Sequence, residues 1–145
     1  MLVHSYSGTL LLTKLKLAQT EDCLGLFAVA NHQGKAIIVT GGCIEMRTTR
    51  QVLRFDLDTN EMTELPMMNE CRYHHSCATA DNMVAVFGGH GGYELLQTIE
   101  MIDLTSENTW HTFASKVFTA RMYPVVSTVG PSLILVCGGS IKTGE

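Results

Sequence analysis

The sequence predicts an all-β fold made of four-stranded antiparallel units that repeat along the chain, and three observations carry that prediction. Short apolar runs end three times in a twin glycine, as AIIVTGG at 36–42, MVAVFGG at 83–89 and LILVCGG at 133–139. The first glycines stand at 41, 88 and 138, so the signal recurs at intervals of 47 and 50 residues. Between the recurrences lie further short β-branched and aromatic runs, separated by the Gly, Asp, Asn and Pro residues that punctuate tight turns. Each run has the composition of a buried strand, and glycine tolerates the positive φ angles that end it abruptly.

Taken in order, the first residues say least. Thr9–Leu17 alternates well enough for a strand, with nothing upstream that reads as its partner; residues 1–22 are therefore poorly assigned, and an outer strand of an incomplete unit is one reading. Leu24–Ala30 reads as a strand, His32-Gln33-Gly34-Lys35 as a hairpin turn, and Ala36–Thr40 as the returning strand closed by Gly41-Gly42. A polar loop from Cys43 to Arg50 leads to a strand over Gln51–Asp56. Asp56-Leu57-Asp58-Thr59-Asn60 then forms a side-chain-stabilised turn, and Glu61–Leu65 is a fourth strand stopped by Pro66, which lacks a ladder donor. The grammar repeats: Tyr73–Ala80, turn Asp81-Asn82, Met83–Phe87, Gly88-Gly89, a glycine-rich loop, Gln97–Leu104, turn Thr105–Asn108 and Thr109–Phe113. A third unit gives Tyr123–Val129, turn Gly130-Pro131-Ser132 and Leu133–Cys137 before Gly138-Gly139. The units are thus about 23–66, 71–114 and an incomplete 121–145.

Composition narrows the function. A hydrophobic fraction of 46% with 17% charged residues excludes a disordered or coiled-coil chain. The formal net charge of −4, with ten scattered Lys and Arg, argues against nucleic acid as a partner. No apolar stretch approaches the ~18 residues of a membrane span, and no signal peptide is legible, so no membrane association is expected. Five cysteines are too few for a disulfide scaffold in a chain of 145 residues, which points to a reducing, cytoplasmic location.

The joint spacing resembles the kelch-repeat family of β-propellers from about residue 23 onward. In the first unit Gly41-Gly42, Phe55-Asp56, Thr59, Leu65-Pro66, Met68, Arg72 and His75 match that family's pattern, with Met62 where its Trp would stand. In the second, Gly88-Gly89, Ile102-Asp103, Trp110, Phe113 and Arg121 match; Ile102 in place of Tyr and Pro124 near the expected His depart from it. The N-terminal unit has no Arg-x-x-His. The resemblance implies antiparallel four-stranded kelch blades in an incomplete β-propeller, because propellers have roughly 4–8 blades and this chain supplies about two and a half. A fragment of a longer protein, self-association or completion by another chain, and an open stack are the alternatives. Phe55, Met62 and Trp110 are expected to fill the space between blades.

Candidate chemistry is sparse. In a strand over 71–77, Cys71, Tyr73, His75 and Cys77 would share a face, making Cys71, His75 and Cys77 weak zinc candidates; yet the usual ligand spacing is absent, and no metal or other cofactor is expected. Gly88-Gly89-His90-Gly91-Gly92 lacks the following helix of a phosphate cradle and reads as a flexible loop. No catalytic constellation is recognisable, so the chain reads as no enzyme.

Blade geometry offers a better locus. The loop joining strands two and three shares a rim with the link from strand four to the next blade. That rim would hold Arg47, Arg50, Asn69, Glu70, Arg72, His90, Tyr93, Glu94 and Arg121. In the kelch family this kind of rim binds a partner protein or an acidic peptide, which implies a protein-interaction module and, by analogy with the family, a piece of a ubiquitin-ligase substrate adaptor. A fragment of a kelch-type oxidase or sugar mutarotase and a self-assembling propeller piece are the alternatives.

Overall fold

The structure, a computed structural model, describes residues 2–6, 9–13, 26–106, 109–114 and 118–141. Every regular element among them is a β-strand. Strands β1 (Leu2–Tyr6) and β2 (Thr9–Thr13) form an antiparallel pair in register from Leu2↔Thr13 to Tyr6↔Thr9. The expected strand at Thr9 therefore does have an upstream partner, while residues 14–17 lie outside the described residues.

The first blade has the order β3 (Ala28–His32), β4 (Ala36–Thr40), β7 (Val52–Asp56), β8 (Met62–Leu65), all antiparallel. Its first hairpin turns through Gln33 (φ 54°) and Gly34 (φ 70°) with Lys35 N donating to His32 O at 3.0 Å, the paired positive φ angles of a type I′ turn. The turn before β8 is held by Asp56, whose carboxylate accepts the backbone N–H groups of Thr59 and Asp58, both at 3.0 Å. Those two donors, Thr59 first, hold the Asp56 carboxyl below its ordinary range. Between β4 and β7, β5 (Cys43–Ile44) and β6 (Arg47–Thr48) make a small ribbon.

The second blade repeats the order with β9 (Ser76–Ala80), β10 (Met83–Phe87), β11 (Thr98–Asp103) and β12 (His111–Ala114). The third consists of β13 (Val125–Gly130) and β14 (Leu133–Cys137). The chain is thus a partial propeller of antiparallel blades, as the sequence predicts.

The core lies between blades. Ala28, Ala30, Ile38, Val52 and Met68 of the first pack on Cys77, Val84, Val86, Ile102 and Trp110 of the second. Trp110 also donates Nε1–H to Pro66 O at 2.7 Å, which satisfies its one polar atom. Ile37, Val39, Leu53 and Phe55, with Met62 against them, form a second cluster on the opposite face of the first blade. Because both faces of β4 are covered, all five of its residues are buried, which is why it reads as a continuous apolar run rather than an alternation. The homologous β14 has Leu133 and Leu135 more than half exposed.

The innermost strands β3, β9 and β13 lie side by side and are stitched by hydroxyls. Thr79 donates to Asn31 O, and Thr128 donates to Thr79 O at 2.6 Å, the same bond one blade further on. A groove of about 550 Å³ runs along them, lined by Val29, Asn31, Ala78, Val126 and Ser127 among others.

Candidate partner-binding rim

The link from the first blade to the second runs between two strand-two-to-three loops and hydrogen bonds to both. Met68 N donates to Arg50 O and Arg72 N to Thr49 O on one side; Tyr73 and His90 exchange backbone bonds of 3.1 and 2.8 Å on the other. The links and loops therefore share one rim, as blade geometry requires.

Twin glycines and arginines build the junctions. Gly42 N donates to Arg72 O, and Gly89 N to Arg121 O, each at 2.8 Å and each across a blade boundary. A Cβ on Gly41 would collide with the Arg72 carbonyl oxygen, and one on Gly88 would sit 2.6 Å from that of Arg121. The glycines are thus required by close backbone approach as well as by φ angles of 55° and 59°.

Arg72 itself is not a rim-surface residue. Its side chain is 0% exposed; it donates to Gly88 O at 2.8 Å, to Glu100 Oε1 at 2.6 Å and to Glu70 Oε2 at 3.1 Å. Glu100, equally buried, also accepts the backbone N–H groups of Asn69 and Glu70. A charge this deep persists only when paired and hydrogen bonded, which removes Arg72 from partner contact. Arg121 repeats the arrangement half-buried, donating to Gly138 O at 2.6 Å and Thr119 O at 2.9 Å with its guanidinium over Phe118.

Two further expected rim residues serve the scaffold. Asn69 donates to Trp110 O and Thr112 Oγ1, both at 2.8 Å. His90 is buried, and its Nδ1 accepts Gly92 N–H at 3.0 Å. The glycine-rich loop is accordingly not slack: Gly91 N–H goes to Glu94 O and Leu96 N–H to Gly89 O. Arg47, Arg50 and Tyr93 do stand in solvent, and a small hollow of about 250 Å³ lies beside Tyr93 between Glu70, Cys71, Gly91, Glu94 and Leu96.

The shared face expected for Cys71, His75 and Cys77 does not form. The strand begins only at Ser76, and His74 has a left-handed φ of 52°, so alternation does not run through 71–77. His75 is buried, with its Nε2 2.8 Å from Thr40 Oγ1 across the blade boundary. Burial first, and the Arg72 charge second, push its pKa down to about 3. Cys77 belongs to the core, where burial raises its thiol to about 12. Among the described residues, no three His, Cys, Asp or Glu side chains gather so as to hold a metal ion.

Sequence reading missed a repeated backbone position. Leu26, His74 and Tyr123, two residues before each innermost strand, have φ of 59°, 52° and 53°. Tyr123 N donates to His74 O, and His74 N to Leu26 O, so the three blades are joined in series. The Tyr123 and His74 rings stack at 4.3 Å, with Tyr123 Oη 3.0 Å from His74 Nε2. Burial, then the nearby His90, lowers the pKa of His74. The only signal in the sequence is spacing, since no glycine marks these positions.

Four-stranded blades joined through twin glycines and a buried arginine define a β-propeller repeat protein. The kelch motif matches residues 71–116, the span from the Arg72 link through the second blade. The chain belongs to the kelch-repeat family. It is 32% identical over 99 residues to human Kelch-like protein 34, covering 67% of this chain and 15% of that protein. Over 102 residues it is 30% identical to Kelch-like protein 25 of Xenopus tropicalis and to that of Rattus norvegicus, covering 70% of this chain and 17% of theirs. The chain thus spans about one sixth of the length of the curated relatives it matches. No helix among the described residues is long and apolar enough to cross a membrane.

Proposed function

We propose that the chain is a non-enzymatic protein-interaction module whose rim loops meet a partner protein. The observation that carries this reading is the rim itself. The 42–50 segment that carries the β5–β6 ribbon and the 90–96 loop are fixed to the inter-blade link by backbone hydrogen bonds and present Arg47, Arg50 and Tyr93 to solvent. Loops on a rigid scaffold are where recognition residues sit, and Tyr and Arg are frequent interface anchors. The family resemblance supports a finer role as part of a ubiquitin-ligase substrate adaptor. Cys43, Cys71, Cys77 and Cys137 are free thiols, which supports a cytoplasmic setting.

Proximity biotinylation in cells tests the reading. Replacing the tips at 44–47 and 92–94 by Gly-Ser should remove a defined set of labelled proteins without changing thermal unfolding. An unchanged labelled set refutes it.

A further inference from the structure

Among the described residues, Met46 and Tyr93 are the large apolar side chains that stand completely clear of the protein, and both are on this rim. Met46 is 98% exposed at the tip of the β5–β6 ribbon, and Tyr93 is 100% exposed at the tip of the next blade's loop. The two tips are neighbours: a Cβ built on Gly92 would lie 3.5 Å from Thr48 Oγ1. Neither tip is slack. Thr49 N donates to Gly42 O behind the ribbon, and the Gly91–Glu94 and Gly92–His90 bonds close the loop under Tyr93.

The ribbon tip is also strained. Glu45 (φ 47°) and Met46 (φ 64°) occupy the two left-handed positions of a tight hairpin, where Asn and Gly fit without steric cost. Such outliers collect where the side chain has a use. The charges around the tips cancel, because exposed Arg47 and Arg50 are matched by exposed Glu45 and Glu94. Arg72 and Arg121 are consumed by carbonyls and carboxylates of the scaffold.

Resting on the interaction-module reading, we infer that Met46 and Tyr93 are projecting anchors that enter apolar pockets of a folded partner domain, and that an acidic peptide is not the occupant. Projecting side chains need concavity on the other side, which a folded surface has and a short peptide lacks; a charge-balanced rim offers an acidic segment no net attraction.

The test uses the full chain and two probes. The first is the set of proteins that lose proximity labelling when the tips are replaced, each purified and titrated against the chain. The second is a displayed library of short random peptides. Met46→Ala and Tyr93→Ala should each weaken a purified partner by about 30-fold. Met46→Leu and Tyr93→Phe should bind nearly as the parent, whereas the Arg47→Glu/Arg50→Glu double variant should weaken binding less than either alanine variant does. Enrichment of acidic peptides that bind the alanine variants undiminished, or a partner lost only in the arginine double variant, would overturn the inference and leave the interaction module standing. Absence of any purified protein that binds the chain would overturn both.

Discussion

Arg72 Nη2 lies 2.6 Å from Glu100 Oε1, and both side chains are fully buried. The pair joins the inter-blade link to the third strand of the second blade, and the same guanidinium caps Gly88 O. Removing one member leaves the other charge stranded in the interior. Arg72→Met should therefore destabilise by about 3–5 kcal/mol in urea unfolding, and Glu100→Gln by somewhat less, since the amide oxygen can still accept from Asn69 N–H or Glu70 N–H. The Arg72→Met/Glu100→Gln double variant should cost less than the sum of the singles.

Gly41 and Gly34 separate conformational strain from collision. Both have positive φ, but a Cβ at Gly34 meets nothing within 4 Å whereas one at Gly41 strikes the Arg72 carbonyl oxygen and the His75 ring. Gly34→Ala should cost about 1–2 kcal/mol. Gly41→Ala should cost clearly more and should break the Gly42–Arg72 bond, which amide hydrogen exchange at Gly42 would register.

His75 gives the fold an acid limit. Its pKa is about 3 in the folded protein against an ordinary 6.5, so the unfolded chain binds the proton more readily. The stability it confers is complete above about pH 6.5 and is lost as the pH falls towards 3, on the order of 3–5 kcal/mol in total. Urea midpoints measured against pH should flatten over that window in His75→Gln, which has no proton to gain.

Thiol reactivity should follow burial. Cys137 is exposed and Cys77 is buried with its thiol raised to about 12. Iodoacetamide under native conditions should label Cys137 readily and Cys77 only after denaturant is added, as peptide mass spectrometry would show. Native labelling of Cys77 at the rate of Cys137 would mean that the inter-blade core opens.

Strands β4, β10 and β14 were legible because each is an apolar run stopped by two glycines at positive φ. The innermost strands were harder: alternation suggested starts at Leu24, Tyr73 and Tyr123, whereas Ala28, Ser76 and Val125 begin them. The extended backbone is broken at Leu26, His74 and Tyr123 by left-handed angles that nothing in a Leu, a His or a Tyr advertises. For the rim, loop location was readable from blade topology but exposure was not. Arg72 looks like any surface arginine until Glu100, 28 residues further on, is folded against it. Met46 is illegible in the same way, because an isolated methionine in a polar loop carries no pattern.

The inter-blade bonds from Gly42 and Gly89 run from a main-chain amide to a main-chain carbonyl. Such a bond reads no side chain of the strands: it asks for glycines on one side and a link carbonyl on the other, whose arginine goes on to cap the next glycine pair. Neighbouring blades can therefore diverge freely in their strands, exchange Trp for Met, or drop a histidine, and still recognise one another. The joint works like a standard fitting: it fixes how blades are attached while leaving each free to carry its own loops.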